Sequence, residues 1–506
     1  MYFDLNEGVM SSIGLREGRL ATRLDSDATA YIYGRRAKQQ TDIFDAHSWI
    51  HKAHVIMLAE QHTIPQDQAK QILRALRETK FDDIKLDHRL EDLYTNEERY
   101  LISKIGDVAG AMHTGRSRND LSATVSRIVT REKTEKVIEQ VRRLQSVLID
   151  KARGNLETIM PGYTHLQQAQ PITYAHWLMA YHDFLKYDME RLEDALKRTN
   201  LSPLGGAALA GTGHKIDRAR TAELLGFDGI VENSLQCVST RDFILETVFA
   251  LTLMMNTIEK INQDIFIWVT DEFKMVELDD AFAGTSSIMP QKKNPLLQET
   301  VRGRMATQIG RLTASIAVLK ALPMGHNFDQ YELDLILDDS VDELLQTLRI
   351  TERVISTLKI NKKRMEENLG YSFIIATELA DVMVKEAGLT FRTAHQITGR
   401  VVRKAIEKGV KASDITLELI QQSSREILGK DLKLTEQNVA EAINPRLNVE
   451  RRRSTGGPSP TEVSRMIEER TTQIESTRIR QMKRLQRYSE ARARTEHEVK
   501  RLLKEN

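Results

Sequence analysis

The sequence of 506 residues has little of several features that mark particular classes of protein. It contains one cysteine, Cys237, so no disulfide can form within the chain, and we predict a reducing, cytoplasmic location. It has no run of about 18 uncharged apolar residues, so we predict no membrane-spanning helix. Residues 1–7 lack the basic and apolar stretches that begin a signal peptide, and we expect none.

An excess of charge of one sign is also missing, because 73 Lys and Arg face 72 Asp and Glu. This balance gives no argument for binding nucleic acid or a membrane surface, and we predict neither. We recognise no Walker loop, no dinucleotide fingerprint and no zinc-type spacing, so we predict no cofactor and no metal. Ser286 and Ser287 lie outside any Gly-x-Ser-x-Gly elbow, which argues against a hydrolase nucleophile.

Proline is scarce, with 10 in the chain, and between residues 122 and 366 it falls only between long stretches of helical character. Within those stretches apolar residues recur every three or four positions, as at Val137, Val141, Leu144 and Leu148. This spacing is typical of the core-facing side of packed helices. We therefore predict an all-α fold whose centre is a bundle of about five long helices, at 122–155, 172–199, 239–270, 295–321 and 331–366.

The same pattern divides the chain into four predicted parts. They are a small N-terminal helical domain at 1–110, the central bundle domain at 111–366, a small C-terminal helical domain at 367–470 and a charged helical extension at 471–506. Helices as long as those of the bundle bury only part of their surface in one chain, so we expect oligomerisation through them.

The charged extension contains a basic run at 480–487 and a thin apolar edge formed by Ile479, Met482 and Leu485. Nucleic-acid binding is one interpretation of the run. A solvated helix, or one that packs between subunits, is the alternative, and acidic residues interleaved further along favour it.

A polar segment at 284–295, with the sequence GTSSIMPQKKNP, precedes the fourth bundle helix. Gly284 suits a mobile loop whose backbone N–H groups can converge, and Pro295 suits the start of a helix. A helix start attracts anions, and Lys292 adds positive charge beside it. An ordinary polar connector is the alternative, but we interpret the segment as an anion-binding active-site loop.

Two further polar segments flank long helices. The segment 111–119 is compact and cationic, and it is either a solvated basic loop or a carboxylate site, since arginine can bind both carboxylate oxygens. The segment 161–171 is a loop bounded by prolines that contains Thr164, His165 and Gln167. A single histidine is usually structural, yet imidazole is the side chain best suited to proton transfer near neutral pH.

Together the three segments resemble one family. Residues 286–294 are similar to the signature Ser-Ser-x-Met-Pro-x-Lys-x-Asn of the fumarase/aspartase superfamily. His-Thr-Gly-Arg-Ser-Arg-Asn-Asp at 113–120 and Gly-Tyr-Thr-His-Leu-Gln-Gln-Ala-Gln-Pro at 162–171 resemble the argininosuccinate lyase branch of that superfamily. Shorter matches extend the resemblance over most of the chain, at 57–60, 239–243 and 454–457.

This resemblance implies a three-domain fumarase/aspartase-like fold and a homotetramer around a twenty-helix core, with each active site built from three subunits. It also implies elimination of an amine from an N-substituted aspartate with release of fumarate, without metal or cofactor. From argininosuccinate the amine would be arginine. Removing a Cβ proton beside a carboxylate builds up negative charge, which requires preorganised donors and cations.

The resemblance also implies roles for individual residues. Ser286 is the base that takes the Cβ proton, and Lys292 stabilises the alkoxide and the substrate carboxylates. His165, with Glu299 as its carboxylate partner, assists protonation of the leaving nitrogen or orients its partner. The other residues implied at the substrate are Arg116, Ser117, Arg118, Asn119, Thr164, Gln167, Ser287, Asn294, His326 and Tyr331. For the two arginines, bracing of their loop is the alternative role.

Departures from the family pattern fall mainly on the amine side of the substrate. Where the family has Tyr, Gln and Lys, this chain in ungapped register has His326, Tyr331 and Asp334, and Gln330 stands one residue from the family's Gln. Aspartate in place of lysine reverses a charge and would repel an α-carboxylate. Further departures are Tyr94 for His, Thr285 for Gly and Leu296 for Asp.

Three functions are therefore open. The first is a carbon–nitrogen lyase that acts on argininosuccinate. The second is a lyase for a different N-substituted aspartate, similar to the enzymes that cleave ethylenediamine-disuccinate. The third is a crystallin-like scaffold without turnover, against which the intact Ser286, Lys292, Asn294 and His165 argue.

Overall fold

The structure is a computed structural model that describes residues 25–35, 40–87 and 91–504 of the chain. Most of these residues are helical, which confirms the all-α prediction. The helices are α1 Ser26–Tyr33, α2 Gln40–Glu60, α3 Gln66–Glu78, α4 Leu93–Ile105, α5 Arg118–Arg153, α6 Tyr174–Thr199, α7 Arg218–Leu224, α8 Ser234–Ser239, α9 Asp242–Trp268, α10 Leu296–Leu319, α11 Tyr331–Thr357, α12 Lys362–Asn368, α13 Ala376–Ala387, α14 Phe391–Glu407, α15 Leu417–Leu428, α16 Glu436–Ala442, α17 Pro445–Arg451 and α18 Pro460–Leu503. Among these described helices, none combines the length and apolar character needed to cross a membrane.

Short strands pair in two-stranded sheets between the helices. The pairs are β1 Ile159–Thr164 with β2 Gln167–Thr173, β3 Leu201–Ser202 with β4 Gly229–Ile230, β5 Val276–Glu277 with β8 Lys359–Ile360, and β6 Gly284–Thr285 with β7 Lys293–Asn294. The β3–β4 pair is parallel and the other three are antiparallel. None of these pairs forms a layer of the fold, and each fastens a loop.

Helices α5, α6, α9, α10 and α11 form the central bundle, close to the predicted ranges. Successive helices alternate in direction. At the start of α9, Arg241 Nη2 donates to Ser122 Oγ near the start of α5 (3.1 Å). Near the end of α5, Lys151 Nζ donates to the carbonyl of Leu358, just after the end of α11 (2.7 Å). The inward-facing apolar residues of the five helices belong to one continuous core.

The fifth bundle helix ends at Thr357, so the prediction that it continues to residue 366 was wrong. Leu358 takes an extended conformation with ψ 122°, and the two residues after it pair with β5. Asn361 then caps a separate helix, α12, by accepting from the backbone N of Arg364 (3.1 Å). Leu358 and Met365 both enter the bundle core, so the apolar spacing continues across the break and conceals it.

The two ends of the bundle are called end A and end B. End A is where α5 begins, and it holds residues 113–119 and 320–331. In the second segment, the backbone N of Gly325 donates to Ser239 Oγ (2.9 Å) just before α9, and α9 begins beside the start of α5. End B is the opposite end, with the β1–β2 hairpin and residues 269–295. Because α5 has 36 residues, it spans about 54 Å from end A to end B.

Smaller helices pack outside the bundle in two further cores. Helices α2, α3 and α4 surround the first turns of α5 at end A, around Trp49, Leu73 and Tyr94. Helices α13 to α16 enclose a separate core around Leu379 and Ile397. Each core is large enough to hold a helical subdomain together.

The last helix, α18, runs for 44 residues without a break and is capped by Ser459. Its first turns, at Val463 and Met466, enter the bundle core, while its last turns, at Val499 and Leu503, enter the core at end A. The helix therefore lies along its own chain and ties these two cores together. The predicted apolar edge is on its exposed side, at Ile479, Met482 and Leu485.

Candidate active site

Residues 113–119 form a tight turn directly before α5 at end A. Gly115 has a φ of +69°, a left-handed conformation that glycine adopts without steric cost. Ser117 caps α5, because its Oγ accepts from the backbone N of Asn119 (3.2 Å), while Asp120 Oδ1 accepts from the backbone N of Ser117 (2.9 Å). Ser117 and Asn119 are thus fixed at a helix N-terminus, a position that favours a bound carboxylate.

Asp120 fastens this turn to a second loop. Its Oδ2 accepts from the backbone N of both Gly205 and Ala207, each at 2.9 Å. Asn119 Nδ2 donates to the carbonyl of Ala208 in the same loop (3.1 Å). Burial raises the pKa of the Asp120 carboxyl to about 6. The turn and the loop at 203–208 therefore form one hydrogen-bonded unit.

The two arginines of the turn extend to different neighbours within the chain. Arg116 is buried, and its Nη1 lies 2.9 Å from Nδ1 of His51 on α2. Arg118 Nη1 donates to Glu91 Oε2 (2.7 Å) and to Asp92 Oδ2 (3.4 Å). These contacts favour the bracing role of the two that were predicted. Contact of either arginine with a substrate stays a prediction.

Residues 161–171, which were predicted to be a loop, lie in the β1–β2 hairpin. A two-residue turn joins the strands, and both of its residues, His165 and Leu166, have positive φ values of 54° and 56°. Positive φ at both positions is characteristic of the tight turn that best matches strand twist. The loop prediction was wrong because proline and glycine are rare inside strands, and Pro161 and Pro171 lie opposite each other here.

The hairpin presents Thr164, His165 and Gln167 at its exposed tip. Farther from the tip, Gln168 Nε2 donates to the carbonyl of Asn368 (2.9 Å) and so fastens the hairpin to the C-terminal part of the chain. Left-handed backbone at a histidine costs about 1 to 3 kcal/mol and is typical of functional sites. The exposed tip therefore carries three of the predicted residues.

The predicted pairing of His165 with Glu299 is not made within one chain. Glu299 lies exposed on the first turn of α10, and this helix begins directly after Pro295 as predicted. In the part of the chain that the structure describes, no hydrogen bond or ion pair joins the two side chains. The pairing stays a prediction for the assembled protein.

The segment 284–295 projects from end B as a loop closed by the β6–β7 pair. Within it, Ser286 is half-buried, and its Oγ accepts from the backbone N of Met289 (3.1 Å) and of Ile288 (3.4 Å). Backbone donors directed at a hydroxyl oxygen stabilise negative charge on that oxygen. Two backbone donors therefore converge on the Ser286 hydroxyl, and its role as a base stays a prediction.

The two lysines of this loop have different surroundings. Lys293 Nζ donates to Asp280 (2.7 Å) and Glu277 (3.1 Å), which holds the base of the loop in place. Lys292 is exposed and forms no ion pair with any described residue. Lys292 is therefore the positive charge of the loop that remains for a carboxylate ligand.

The rest of the loop also faces outward. Asn294 Nδ2 donates to the carbonyl of Thr285 (3.3 Å), across the β6–β7 pair. Ser287 is exposed, and Ile288 is 82% exposed, which is unusual for an apolar side chain. A Cβ at Gly284 would meet the side chain of Leu296, which is 49% exposed and would have to move.

The segment 320–331 brings the amine-side candidates to end A. The rings of His326 and Tyr331 are 5.4 Å apart at 70°. Gln330 is fully buried, and its Nε2 donates to the carbonyl of Ser239 (3.0 Å), so it faces the interior of its own chain. Tyr331 lines a groove with Tyr33, Glu91, Asp92, Tyr94 and Arg118, and Asp334 lines the adjoining groove.

The predicted site residues therefore lie at two opposite ends of the bundle rather than at one end. The group at end A consists of Arg116, Ser117, Arg118, Asn119, His326 and Tyr331. The group at end B consists of Thr164, His165, Gln167, Ser286, Ser287, Lys292, Asn294 and Glu299. About 54 Å of α5 lies between the two ends of the bundle. A single chain cannot bring both groups to one substrate.

One polar cluster at end A was not identified from the sequence. It consists of His47, His51, Glu97 and Arg116, all buried. His47 Nδ1 is 2.6 Å from Glu97 Oε2, and His51 Nε2 is 3.6 Å from the same oxygen. The signal was present in the spacing of His47 and His51, one helical turn apart on α2, so the reading that no zinc-type spacing exists was wrong.

The donor atoms of this cluster fit a hydrogen-bonded network better than a metal ion. The possible ligand atoms of His47, His51 and Glu97 lie within 4.8 Å of one another, as a metal site would need. Arg116, however, is only a donor, so Nδ1 of His51 accepts and its proton sits on Nε2, the atom that would bind the metal. The short contact of His47 with Glu97 is likewise a direct hydrogen bond.

Comparison with known proteins defines the class. A lyase family model matches residues 22–310, more than half of the chain, and a model of the argininosuccinate lyase C-terminal region matches residues 373–450. The structure superimposes on a crystal structure of EDDS lyase in complex with formate with a TM-score of 0.85 and 33% identity, over 96% of this chain and 97% of that one. A class II fumarase from Schistosoma mansoni, 16% identical with a TM-score of 0.67 over 83% of this chain and 94% of that one, shares the fold. The chain is a lyase with the fumarase/aspartase fold.

Sequence relatives place it within that class. An argininosuccinate lyase of Methanosphaera stadtmanae is 41% identical over 457 residues, 90% of this chain and 98% of the relative. An argininosuccinate lyase of Methanococcoides burtonii is 43% identical over 464 residues, 91% of this chain and 92% of the relative. The chain belongs to the argininosuccinate lyase branch of the fumarase/aspartase superfamily, a family of carbon–nitrogen lyases. The resemblance drawn from the three segments is thereby confirmed.

Proposed function

We propose that the protein eliminates an amine from an N-substituted aspartate and releases fumarate, with argininosuccinate as the first candidate substrate and arginine as the amine. The observation that carries this proposal is the 284–295 loop. It directs two backbone N–H groups at Ser286 Oγ and leaves Lys292 exposed without an ion pair to any described residue. This combination matches a base and a cation for a carboxylate substrate.

In the proposed reaction Ser286, as the alkoxide, takes the Cβ proton of the substrate. The electron pair of that C–H bond forms the C=C bond of fumarate, while the C–N bond breaks and its electron pair leaves on nitrogen. His165, with Glu299, supplies or directs the proton that neutralises the leaving nitrogen. Negative charge rises on the neighbouring carboxylate during this step, and Lys292 and Asn294 stabilise it. Ser117, Asn119 and Thr164 hold the carboxylates, and closure of the exposed loop excludes water.

We propose a homotetramer in which each site combines segments from several subunits. The two groups of site residues lie at opposite ends of the bundle, so residues from both groups can meet only if chains associate. Helix α10 supports such association because its outward face carries exposed Ile309 and Ile316 among alanine, glycine and threonine residues. Apolar helix faces without cover are typical of subunit interfaces.

The ultraviolet absorbance of fumarate provides the test, with argininosuccinate offered beside a panel of other N-substituted aspartates. We expect turnover at roughly 1 to 1,000 per second. Ser286→Ala should lower kcat by about 10²- to 10⁴-fold. Ser356→Ala, an exposed serine on α11, is the matched control and should leave kcat unchanged. A wild-type protein without turnover of any panel member would instead support the scaffold.

A different N-substituted aspartate is the second candidate substrate, and one observation favours it. The His326 ring packs edge-to-face against Tyr331, and Asp334 lies nearby, where the family pattern has residues that grip the amino-acid end of argininosuccinate. Turnover of another panel member, with none of argininosuccinate, would establish this candidate. A cytoplasmic location and the four-part domain division remain predictions.

A further inference from the structure

A buried polar network lies directly beneath the turn at 113–119. Arg116 Nη1 contacts His51 Nδ1 (2.9 Å), His51 Nε2 faces Glu97 Oε2 (3.6 Å), and the same oxygen contacts His47 Nδ1 (2.6 Å). The four side chains come from α2, α4 and the turn itself, and all are at least nine-tenths buried. The turn is therefore supported from inside the protein.

The protonation states of the network follow from its donors. Because Arg116 only donates, His51 must accept at Nδ1 and carry its proton on Nε2, toward Glu97. Burial, together with the nearby guanidinium of Arg116, lowers the pKa of His51 to about 3, so its imidazole is neutral. Burial works to raise the pKa of Glu97, but the hydrogen bond from His47 and the nearby imidazole of His51, 3.6 Å away, outweigh it and hold the pKa below its ordinary value. A neutral imidazole thus bridges one buried cation and one buried anion.

Arg116 depends on this bridge. Its Nε and Nη2 are buried and have no hydrogen-bond partner among the described residues, so Nη1 makes the hydrogen bond that orients the guanidinium. The face of Tyr94 lies 5.9 Å away and adds a weaker cation–π attraction. Arg116 directly precedes Ser117, the cap of α5. A shift of Arg116 would therefore displace the cap and Asn119 beside it.

We propose that His51 and Glu97 are positioning residues: through Arg116 they hold Ser117 and Asn119 in the geometry that binds a substrate carboxylate. The inference rests on the proposed function, since it assigns a substrate contact to Ser117 and Asn119. Neither His51 nor Glu97 touches the substrate. Preorganised support of this kind affects binding and rate because small displacements of substrate-holding groups are costly.

Two amide substitutions of His51 separate its two contacts. In His51→Asn, the side-chain oxygen stands near the former Nδ1 and continues to accept from Arg116. In His51→Gln, the amide nitrogen stands near the former Nε2 and continues to face Glu97, while Arg116 loses its acceptor. We expect His51→Gln to change KM or kcat for the substrate by about 10- to 100-fold, and His51→Asn to change them by much less.

Glu97→Gln tests the other end of the bridge, because it removes the negative charge while keeping the shape. We expect KM for the substrate and the inhibition constant for fumarate to rise together in this variant, since the carboxylate contacts are weakened in both cases. His182→Asn is the matched control. It removes a buried histidine of α6 that contacts Asp183 rather than the turn, and it should change melting temperature without changing KM.

Steady-state kinetics and melting temperatures of these four variants decide the matter. The proposal is overturned if His51→Gln and His51→Asn share the same KM and kcat, or if Glu97→Gln lowers only the melting temperature, as His182→Asn does. Loss of the fold in Glu97→Gln leaves the pair of His51 variants to decide. Failure of the proposed function is a separate result, because the wild-type protein itself would then release no fumarate from any panel member.

Discussion

Helices α10 and α18 differ in how far their own chain covers them, and their sequences do not reveal this difference. Helix α10 has few charged residues and lies in the central bundle, yet Ile309 and Ile316 on its outer face are 51% and 53% exposed. Its buried positions include polar Gln308 and Ser315. Helix α18 is rich in charge, yet it is fastened to its own chain along most of its length.

The attachment of α18 combines ion pairs with cation–π contacts, and Arg492 of α18 lies 4.3 Å from the ring of Trp49. Tyr488 covers the guanidinium of Arg131, whose centre is 4.3 Å from the ring. Arg131 is fully buried and donates to the carbonyl of Leu225 (3.0 Å) and to Asn200 Oδ1 (2.9 Å). Nearby, Arg484 pairs with the buried Glu135 (2.6 Å). Helix α10 thus leaves apolar side chains uncovered in one chain, whereas α18 is packed against its own chain along most of its length.

The largest effect should come from a charge on the outer face of α10. We expect Ile316→Asp to dissociate the oligomer and to lower fumarate release at least about 100-fold, because an unpaired carboxylate would be buried between subunits. Light scattering measures the mass of the protein assembly in solution. Ile479→Asp on the outer edge of α18, similarly exposed, is the control and should leave mass and activity unchanged. Equal effects of the two substitutions would mean that the outer faces of α10 and α18 do not differ in their contact with other subunits.

Removal of the Tyr488 ring, the closest of three aromatic rings around Arg131, should have the next largest effect. We expect Tyr488→Ala to lower the free energy of unfolding by about 3 to 5 kcal/mol, since it opens a cavity beside a buried cation. Leu485→Ala, one turn away on the exposed side, should change it by less than about 0.5 kcal/mol. Urea unfolding compares the two. A small effect of Tyr488→Ala would mean that α18 is only loosely attached.

The smallest effect should be the pH dependence of one ion pair between α18 and α6. Arg470 donates to both oxygens of Asp183 (3.0 and 2.8 Å). Partial burial works to raise the pKa of Asp183, but hydrogen bonds from His182 and Arg470 hold it at about 2. The ordinary value is 3.8, so this stabilisation is present above about pH 4 and is lost as pH falls toward 2.

Arg470→Ala measures this contribution directly. We expect it to lower the free energy of unfolding by about 1 kcal/mol at pH 7, after allowance for partial exposure of the pair. The difference from wild type should shrink to about half at pH 3. A difference that grows on acidification would contradict the assignment of Asp183 as the ionised partner.

Much of the bundle was predictable because apolar residues repeat at helical spacing over long stretches. The same rule failed after Thr357, where Leu358 and Met365 keep the spacing across a break in the helix. It also failed for the docking face of α18. Between its two apolar ends, that helix buries Thr477, Gln481, Tyr488, Ala491 and Thr495, which are mostly polar, while its apolar edge faces outward.

The three site segments were predictable from their residues, but their arrangement was not. Nothing local in the sequence states that Ser117 and Ser286 lie at opposite ends of the bundle, since this follows from the alternating directions of whole helices. The hairpin at His165 was missed because its turn uses no glycine. The network around His51 was missed because Glu97 and Arg116 join it from other elements.

We infer that one active site takes residues from both ends of the bundle and therefore from different chains. Mixing two inactive variants, Asn119→Ala from end A and Ser286→Ala from end B, tests it most directly. After the two are dissociated and reassociated together, we predict that fumarate release reappears, because some sites then combine an intact Asn119 from one chain with an intact Ser286 from another. Mixed oligomers that form and stay inactive would contradict the inference that one active site combines residues of different chains.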